Sequence, residues 1–393
     1  MSLCGIIAEY NPLHSGHERH IALAKEKSGC DLIAAVMSGS FVQRGAPASF
    51  DKWTRTRWAL RAGADVVFEL PAAYVLQAAS GFAMGGVRTL YATGMLSALS
   101  FGCESGGVEE LKALCACCED ERYHGIIKEN LNKGMSYAAA EQAALFALRP
   151  DAAGLALSPN FMLGLSYARA VNEYAPSVRL VPVMREGAAH TDDSFFGRFS
   201  SASAFRAALR SKDREKALSD LPAYAAEDAK STPCVALEDL GQAVLYALRS
   251  KSAAKLAAFA GVDEGLENVL VRAGGAADLD GALAVLKSKR YTLARLRRLL
   301  CAALVGFTKE TLKTANEGPR YLRILGVRKE SQGILGELSK DAGLPVIVKK
   351  SDADALSQKA RALYDLDVAA SNIAALAWGC EAWRDYTEPL IVL

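Results

Sequence analysis

Gly5-Ile6-Ile7-Ala8-Glu9-Tyr10-Asn11-Pro12-Leu13-His14-Ser15-Gly16-His17 is the stretch that decides the fold. It reads as a buried strand, Leu3 to Glu9, broken by Asn11-Pro12 and followed by a helix from Gly16 to Lys27. Ser15 is a possible helix cap. The strand is apolar without alternation, which suits a parallel sheet covered on both faces. His-x-Gly-His therefore falls at a strand-to-helix junction, where open parallel sheets bind ligands. A helix start offers unpaired N–H groups and the positive end of the helix dipole. Gly16 lets a ligand approach the backbone. Two imidazoles add donors for phosphate oxygens and for the charge that builds during attack at phosphorus. Plain helix capping is the alternative. A two-histidine zinc site fits less well, because the general-base Glu of a zincin helix is absent.

Outward from this stretch the pattern repeats. Asp31 to Met37 is a second apolar strand, and Asp51 to Ala62 is helical. Asp65 to Leu70 is a third strand, ended by Pro71, with a helix running to about Tyr91. Leu96 to Phe101 is a fourth strand closed by Gly102. Leu180 to Met184 adds a fifth, after a helix that follows Pro159-Asn160. Alternation of this kind predicts an α/β fold with a Rossmann-like parallel sheet. From about residue 200 to 315 strand signals fade, and Ala, Leu, Lys and Arg recur at helical spacing. Pro345 to Val348 is a strand candidate in the tail. The expected organisation is a sheet domain over 1–210, then a mostly helical region with a small C-terminal α/β element over 211–393. A chain of 393 residues is long enough for two domains or more.

A 51% apolar, 23% charged composition can bury a core and excludes a disordered chain. The net charge of +2 excludes a globally basic nucleic-acid coat but leaves room for a local patch. No apolar run reaches the ~18 residues of a spanning helix, and the N-terminus lacks a signal-peptide pattern. The expectation is a cytoplasmic protein with no membrane partner. The nine cysteines sit mostly in apolar segments, as reduced buried thiols do. Cys115, Cys117 and Cys118 lack a second pair at zinc spacing, and a metal or redox role for them stays open. Between Asp280 and Glu310 no acidic residue occurs, against Lys287, Lys289, Arg290, Arg295, Arg297, Arg298 and Lys309. A helix over Arg290 to Leu300 would gather Arg290, Arg297 and Arg298 on one face, with Leu293, Leu296, Leu299 and Leu300 opposite. Such a face can bind RNA phosphates, with Tyr291 stacking on a base, or can simply be solvated.

His-x-Gly-His after a first strand resembles the signature of the nucleotidyltransferase superfamily that includes class I aminoacyl-tRNA synthetases and pantetheine-phosphate adenylyltransferases. The longer run Glu9 to His17 resembles one branch, the tRNA(Met) cytidine acetate ligases. Met37-Ser38-Gly39-Ser40-Phe41-Val42-Gln43-Arg44-Gly45, Gly63 to Pro71, Phe101-Gly102-Cys103-Glu104, Ser158-Pro159-Asn160, Lys287 to Thr292 and Tyr321 to Gly326 resemble the same branch.

The resemblance implies activation of acetate with ATP to acetyl-adenylate. Acetyl transfer then follows to N4 of the wobble cytidine of elongator tRNA(Met), giving N4-acetylcytidine, AMP and diphosphate. It implies that Ile7, Ala8, Glu9, Tyr10, Asn11, Pro12, Leu13, His14, Ser15, Gly16, His17 and His20 line the ATP, with His14 and His17 catalytic at the phosphates. Gly102 would approach the adenine or ribose, Asn160 would hydrogen-bond the nucleotide, and Arg185 and Arg206 would bring positive charge. Gln43-Arg44-Gly45 would order acetate or nucleotide, or be a plain surface loop. Lys287, Lys289, Arg290, Arg295, Arg297 and Arg298 would contact the RNA. A magnesium ion bridging the phosphates is expected, with no protein ligand set and no other metal. Two alternatives remain at this stage. A small-molecule adenylyltransferase explains the histidines but not the basic segment beyond residue 210. A non-catalytic RNA-binding protein explains only the latter.

Overall fold

The computed structural model describes residues 1–104, 107–154, 158–184, 200–263 and 265–393. Its strands are β1 (Leu3–Ala8), β2 (Leu32–Ser38), β3 (Phe41–Val42), β4 (Ala46–Pro47), β5 (Val66–Leu70), β6 (Leu96–Cys103), β7 (Arg179–Met184), β8 (Leu322–Val327), β9 (Val346–Ile347) and β10 (Ile391–Val392). An eight-stranded sheet runs in the order β10-β8-β5-β2-β1-β6-β7, with β9 on β8. β3 and β4 form a separate antiparallel hairpin. The five strands from β5 to β7 across the centre are parallel, with Ile7 opposite Val36 and Val36 opposite Phe68. Leu3, Cys4 and Ile6 are buried, as are Ala34, Ala35, Val36 and Met37. These unbroken apolar runs are what a strand covered on both faces requires.

β1 lies between β2 and β6. The chain leaves β1 to one side for β2 and β5, then crosses back to β6 on the other. That reversal opens a crevice at the carboxyl end of β1. Helix α1 (Ser15–Ser28) starts at this crevice. Helix α2 (Lys52–Arg61) begins nearby, capped by the Asp51 carboxylate, which accepts from Trp53 and Thr54 N–H at 3.0 Å each.

The first five sheet strands agree with the sequence reading, but Gly102 lies inside β6 rather than ending it. The stretch before Tyr91 is two helices, Ala72–Val75 and Ala79–Tyr91. Helices occupy the chain from Ala202–Leu209 to Lys309–Asn316, as the spacing predicts. The tail departs from expectation. β8, β9 and β10 do not build a separate small element; they extend the N-terminal sheet, with β8 antiparallel to β5. The sheet thus crosses residue 210. β8 escaped the sequence reading because a charged residue, Arg323, sits in its middle.

That arginine belongs to a buried ionic cluster. Lys52 Nζ is 2.7 Å from Glu69 Oε1 and 2.5 Å from Asp385 Oδ1. Arg323 is 3.0 Å from Glu69 Oε2 and also pairs with Asp385. The cluster fastens α2, β5, β8 and the short helix Arg384–Thr387 together. Burial acts to raise the Asp385 carboxyl, but Lys52 and Arg323 outweigh it and hold the group well below the usual carboxylate range. Asp367, in the long helix Gln358–Trp378, accepts from Ala72 N–H at 2.7 Å and from the Tyr321 hydroxyl. Burial, joined by the Glu69 charge, pushes its carboxyl up to about 7.

Candidate active site

His14, not Ser15, caps α1. Its backbone is extended (φ −138°, ψ 172°), and its ring Nδ1 accepts the Gly16 N–H at 3.1 Å. His17 returns the bond, its Nδ1 accepting the His14 N–H at 3.2 Å. The two rings lie 4.0 Å apart. This is a capping box built from imidazoles. Capping occupies Nδ1 of each ring and so does not exclude phosphate binding through the other ring nitrogen. In a neutral ring an accepting Nδ1 leaves the proton on Nε2, so each imidazole carries one N–H donor beyond its capping bond. Phe205 stacks on His14 at 5.5 Å, and Tyr10 meets the edge of His17 at 5.2 Å.

Both histidines line a cleft of about 260 Å³ at the carboxyl ends of β1, β6 and β7. Of the other residues expected at ATP, Ile7, Ala8, Glu9, Tyr10, Asn11, Gly16, His20, Gly102, Asn160 and Arg206 line it as well. Pro12, Leu13 and Ser15 do not. They are buried beneath the turn, and Leu13 packs into the core with Tyr10 and Ile21. Arg185 lies outside the described residues, directly after Met184, which lines the cleft.

Several bonds fix the lining. Asn160 Nδ2 donates to Glu104 Oε1 at 2.5 Å, while Ser158 supplies the cap of helix Pro159–Tyr174 by accepting from Phe161 N–H. Asn160 is thus not the cap. His20 Nε2 is 3.0 Å from Ser100 Oγ. Arg206 donates to the Asn11 carbonyl at 2.6 Å and to Ser203 Oγ at 3.0 Å. Arg44 reaches the same hydroxyl at 2.7 Å. Ser201 caps helix Ala202–Leu209. Two guanidinium groups meeting at one exposed rim give the cleft a positive edge suited to phosphate oxygens. Tyr10 holds a left-handed backbone (φ 46°), and its buried hydroxyl has no hydrogen-bond partner among the described residues. Burial raises the phenol, so it stays protonated. Unusual φ in a bulky residue at a cleft is the kind of strain functional sites hold.

The sequence reading missed Phe82, Phe101, Leu163 and Tyr167, which give the cleft an apolar wall. They come from helices and a strand whose apolar residues look like ordinary core. No local signal separates the two.

The basic segment divides in two. Lys287, Lys289 and Arg290 are exposed. Arg295 lies 4.3 Å from the Tyr291 ring centre and Arg290 5.8 Å. The helix runs Leu293–Val305, capped by Thr292, so Arg290 precedes it and shares no helical face. Leu293 is exposed, unlike Leu296, Leu299 and Leu300. Arg297 pairs with Glu238 at 3.3 Å, and Arg298 donates to the Gln43 carbonyl at 3.0 Å. Burial pushes the Cys115 thiol up to about 12 and raises Cys118, which argues against reactive thiolates there. Among the described residues no three His, Cys, Asp or Glu side chains gather as a metal site.

The profile of the HIGH Nucleotidyl Transferase family matches residues 1–385. A tRNA(Met) cytidine acetate ligase of Thermoanaerobacter sp. (strain X514) is 34% identical over 406 residues, covering all of both chains. The chain belongs to the tRNA(Met) cytidine acetate ligase family. The ligase of Clostridium perfringens (strain ATCC 13124) is 33% identical, over 95% of this chain and 94% of its own. The crystal structure of Thermotoga maritima TmcAL in its apo form superposes with a TM-score of 0.93 at 33% identity, over the full length of both chains. The form of that protein bound to alpha-thio ATP gives 0.90 at 32% identity, again over full length. The family resemblance read from the motifs and the α/β sheet fold are both borne out. Length agreement with family ligases also places the tail strands and the basic segment within the shared architecture.

Proposed function

We propose that this chain is an ATP-dependent ligase that acetylates N4 of the wobble cytidine in elongator tRNA(Met), using acetate, in the cytoplasm. A carboxylate oxygen of acetate attacks the α-phosphorus of ATP, and diphosphate leaves. The cytidine N4 then attacks the acyl carbon of acetyl-adenylate; AMP leaves and N4 gives up one proton. The single observation that carries this reading is the His14–His17 capping box opening onto the cleft. Both rings stand at the N-terminus of α1, the positive end of its dipole, where phosphate charge is best held. Neither step needs a protein nucleophile, and the cleft supplies positioning and charge.

Arg206, Gly102, Asn160 and His20 would hold the nucleotide. Arg185 has the same role in this reading. A magnesium ion would come with the ATP and supply further positive charge at its phosphates. Lys287, Lys289, Arg290 and Arg295 would meet RNA phosphates. No helix of the described residues is long and apolar enough to cross a membrane, and none of the nine cysteines is in a disulfide among the described residues.

Acetate-dependent exchange of labelled pyrophosphate into ATP tests the first step. Exchange with acetate and none with phosphopantetheine supports the ligase. The reverse result would favour a small-molecule adenylyltransferase.

A further inference from the structure

The sequence places Arg298 among RNA contacts, yet its guanidinium reaches the other way. It donates to the carbonyl of Gln43, 255 residues away, at 3.0 Å. Gln43-Arg44-Gly45 is the turn of the β3–β4 hairpin, closed by the Gly45 N–H on the Val42 carbonyl at 2.9 Å. Two residues of this turn line the cleft. The Gln43 N–H donates to Glu9 Oε1 at 2.6 Å, and the Arg44 guanidinium donates to Ser203 Oγ at 2.7 Å.

The turn is also pressed against the helix that carries Arg298. Gly45 has φ +79°, and a Cβ there would lie 2.4 Å from Arg298 N and 2.6 Å from the Arg297 carbonyl carbon. These are backbone atoms that cannot swing aside, so glycine is required for the contact. A two-stranded hairpin with strands of two residues each has little stability of its own. Buried Phe41 and Val42 anchor its first strand, and the helix that carries Arg298 braces the turn.

We propose that Arg298 is a positioning residue for the cleft: it fixes the Gln43–Gly45 turn, which sets Glu9 and Arg44 at the cleft wall, and it adds nothing to RNA affinity. Burial lowers the guanidinium only to about 10, with Arg295 adding to the effect, so it remains charged at neutral pH. A charged donor on a carbonyl in a half-buried seam is a strong bond. The inference rests on the ligase reading for its effect on acetate activation, but its effect on ATP affinity does not depend on that reading.

The test compares Arg298→Ala, Arg298→Lys and Gly45→Ala with the unaltered protein. Three quantities are measured: ATP affinity by titration calorimetry, acetate-dependent pyrophosphate exchange, and tRNA affinity against salt. Arg298→Ala is expected to weaken ATP binding at least fivefold and slow exchange at least tenfold. Its tRNA affinity and salt slope should stay within twofold of the unaltered protein. Arg298→Lys, which keeps one donor, should fall between. Gly45→Ala should reproduce the loss by pushing the turn off the helix, and it carries the test with Arg298→Lys if Arg298→Ala does not fold. Tenfold weaker tRNA binding with a salt slope reduced by about one and ATP affinity intact would make Arg298 an RNA contact. That result, or no change in any quantity, overturns the proposal. Absence of exchange in the unaltered protein would count against the ligase reading alone, because the ATP titration still decides the role of Arg298.

Discussion

Lys52 Nζ lies 2.5 Å from Asp385 Oδ1, joining residues 333 positions apart in the chain inside a core where both side chains are fully buried. The pair ties the start of α2, at the cleft end of the sheet, to the last helix of the chain. Asp385→Asn leaves Lys52 and Arg323 facing Glu69 alone. Removing one partner of such a cluster costs about 3 kcal/mol or more. Thermal unfolding should show a lowered midpoint. An unchanged midpoint would mean the tail docks independently of the cluster.

The same cluster sets an acid limit. The Asp385 carboxyl is held below its unfolded value of about 3.9. Its contribution is therefore present above about pH 4 and lost as pH falls below that. The unaltered protein should lose stability steeply under acid, and Asp385→Asn should flatten that dependence.

Asp367 has the opposite sign. Its carboxyl is raised to about 7, so the folded state holds a proton that the unfolded state releases near pH 4. Stability from this group is full below about pH 4 and declines as pH rises toward 7. Asp367→Asn should remove that decline at little cost at neutral pH. Chemical denaturation of both proteins at pH 5 and pH 8 checks it; parallel stability losses would contradict it.

In the proposed reaction His14 and His17 act twice, as the caps the structure shows and as cleft donors. Loss of a cap costs about 1 kcal/mol. Loss of a donor to developing charge costs about 100-fold or more in rate. His17→Asn keeps an acceptor near the His14 N–H but loses the imidazole. Its melting point should stay close to the unaltered value while acetate-dependent pyrophosphate exchange falls at least 100-fold. Preserved exchange would reduce the pair to caps.

Lys289→Ala and Arg290→Ala should each weaken tRNA binding and lower the salt slope by about one, without altering ATP affinity. Arg297→Ala should do less, since its guanidinium already meets Glu238. Filter binding at several salt concentrations separates these cases.

How much of this was legible in sequence follows from where each signal is local. Leu3 to Ala8 and Leu32 to Ser38 are short runs apolar on both faces, and their length and flanking breakers favour a covered parallel strand over a buried helix. His14 and His17 were readable as a helix start because Asn11-Pro12 and Gly16 punctuate the chain around them. The capping residue was misplaced by one, since histidine is a rare cap and Ser15 a common one. β8 was hidden because Arg323 makes sense in a buried strand only beside Glu69 and Asp385, which lie far away in sequence. Arg298 looked like one more member of a basic run. Its bond to Gln43 is a tertiary fact that no spacing within residues 287–309 encodes.

Acetyl transfer to one cytidine is the reaction proposed for this chain. Its most direct test incubates the purified protein with ATP, labelled acetate and unmodified elongator tRNA(Met), followed by digestion to nucleosides. Label is expected in N4-acetylcytidine from the wobble position, dependent on ATP and abolished in His17→Asn. Label appearing only in a small-molecule product, or no label in RNA with ATP and acetate present, would contradict it.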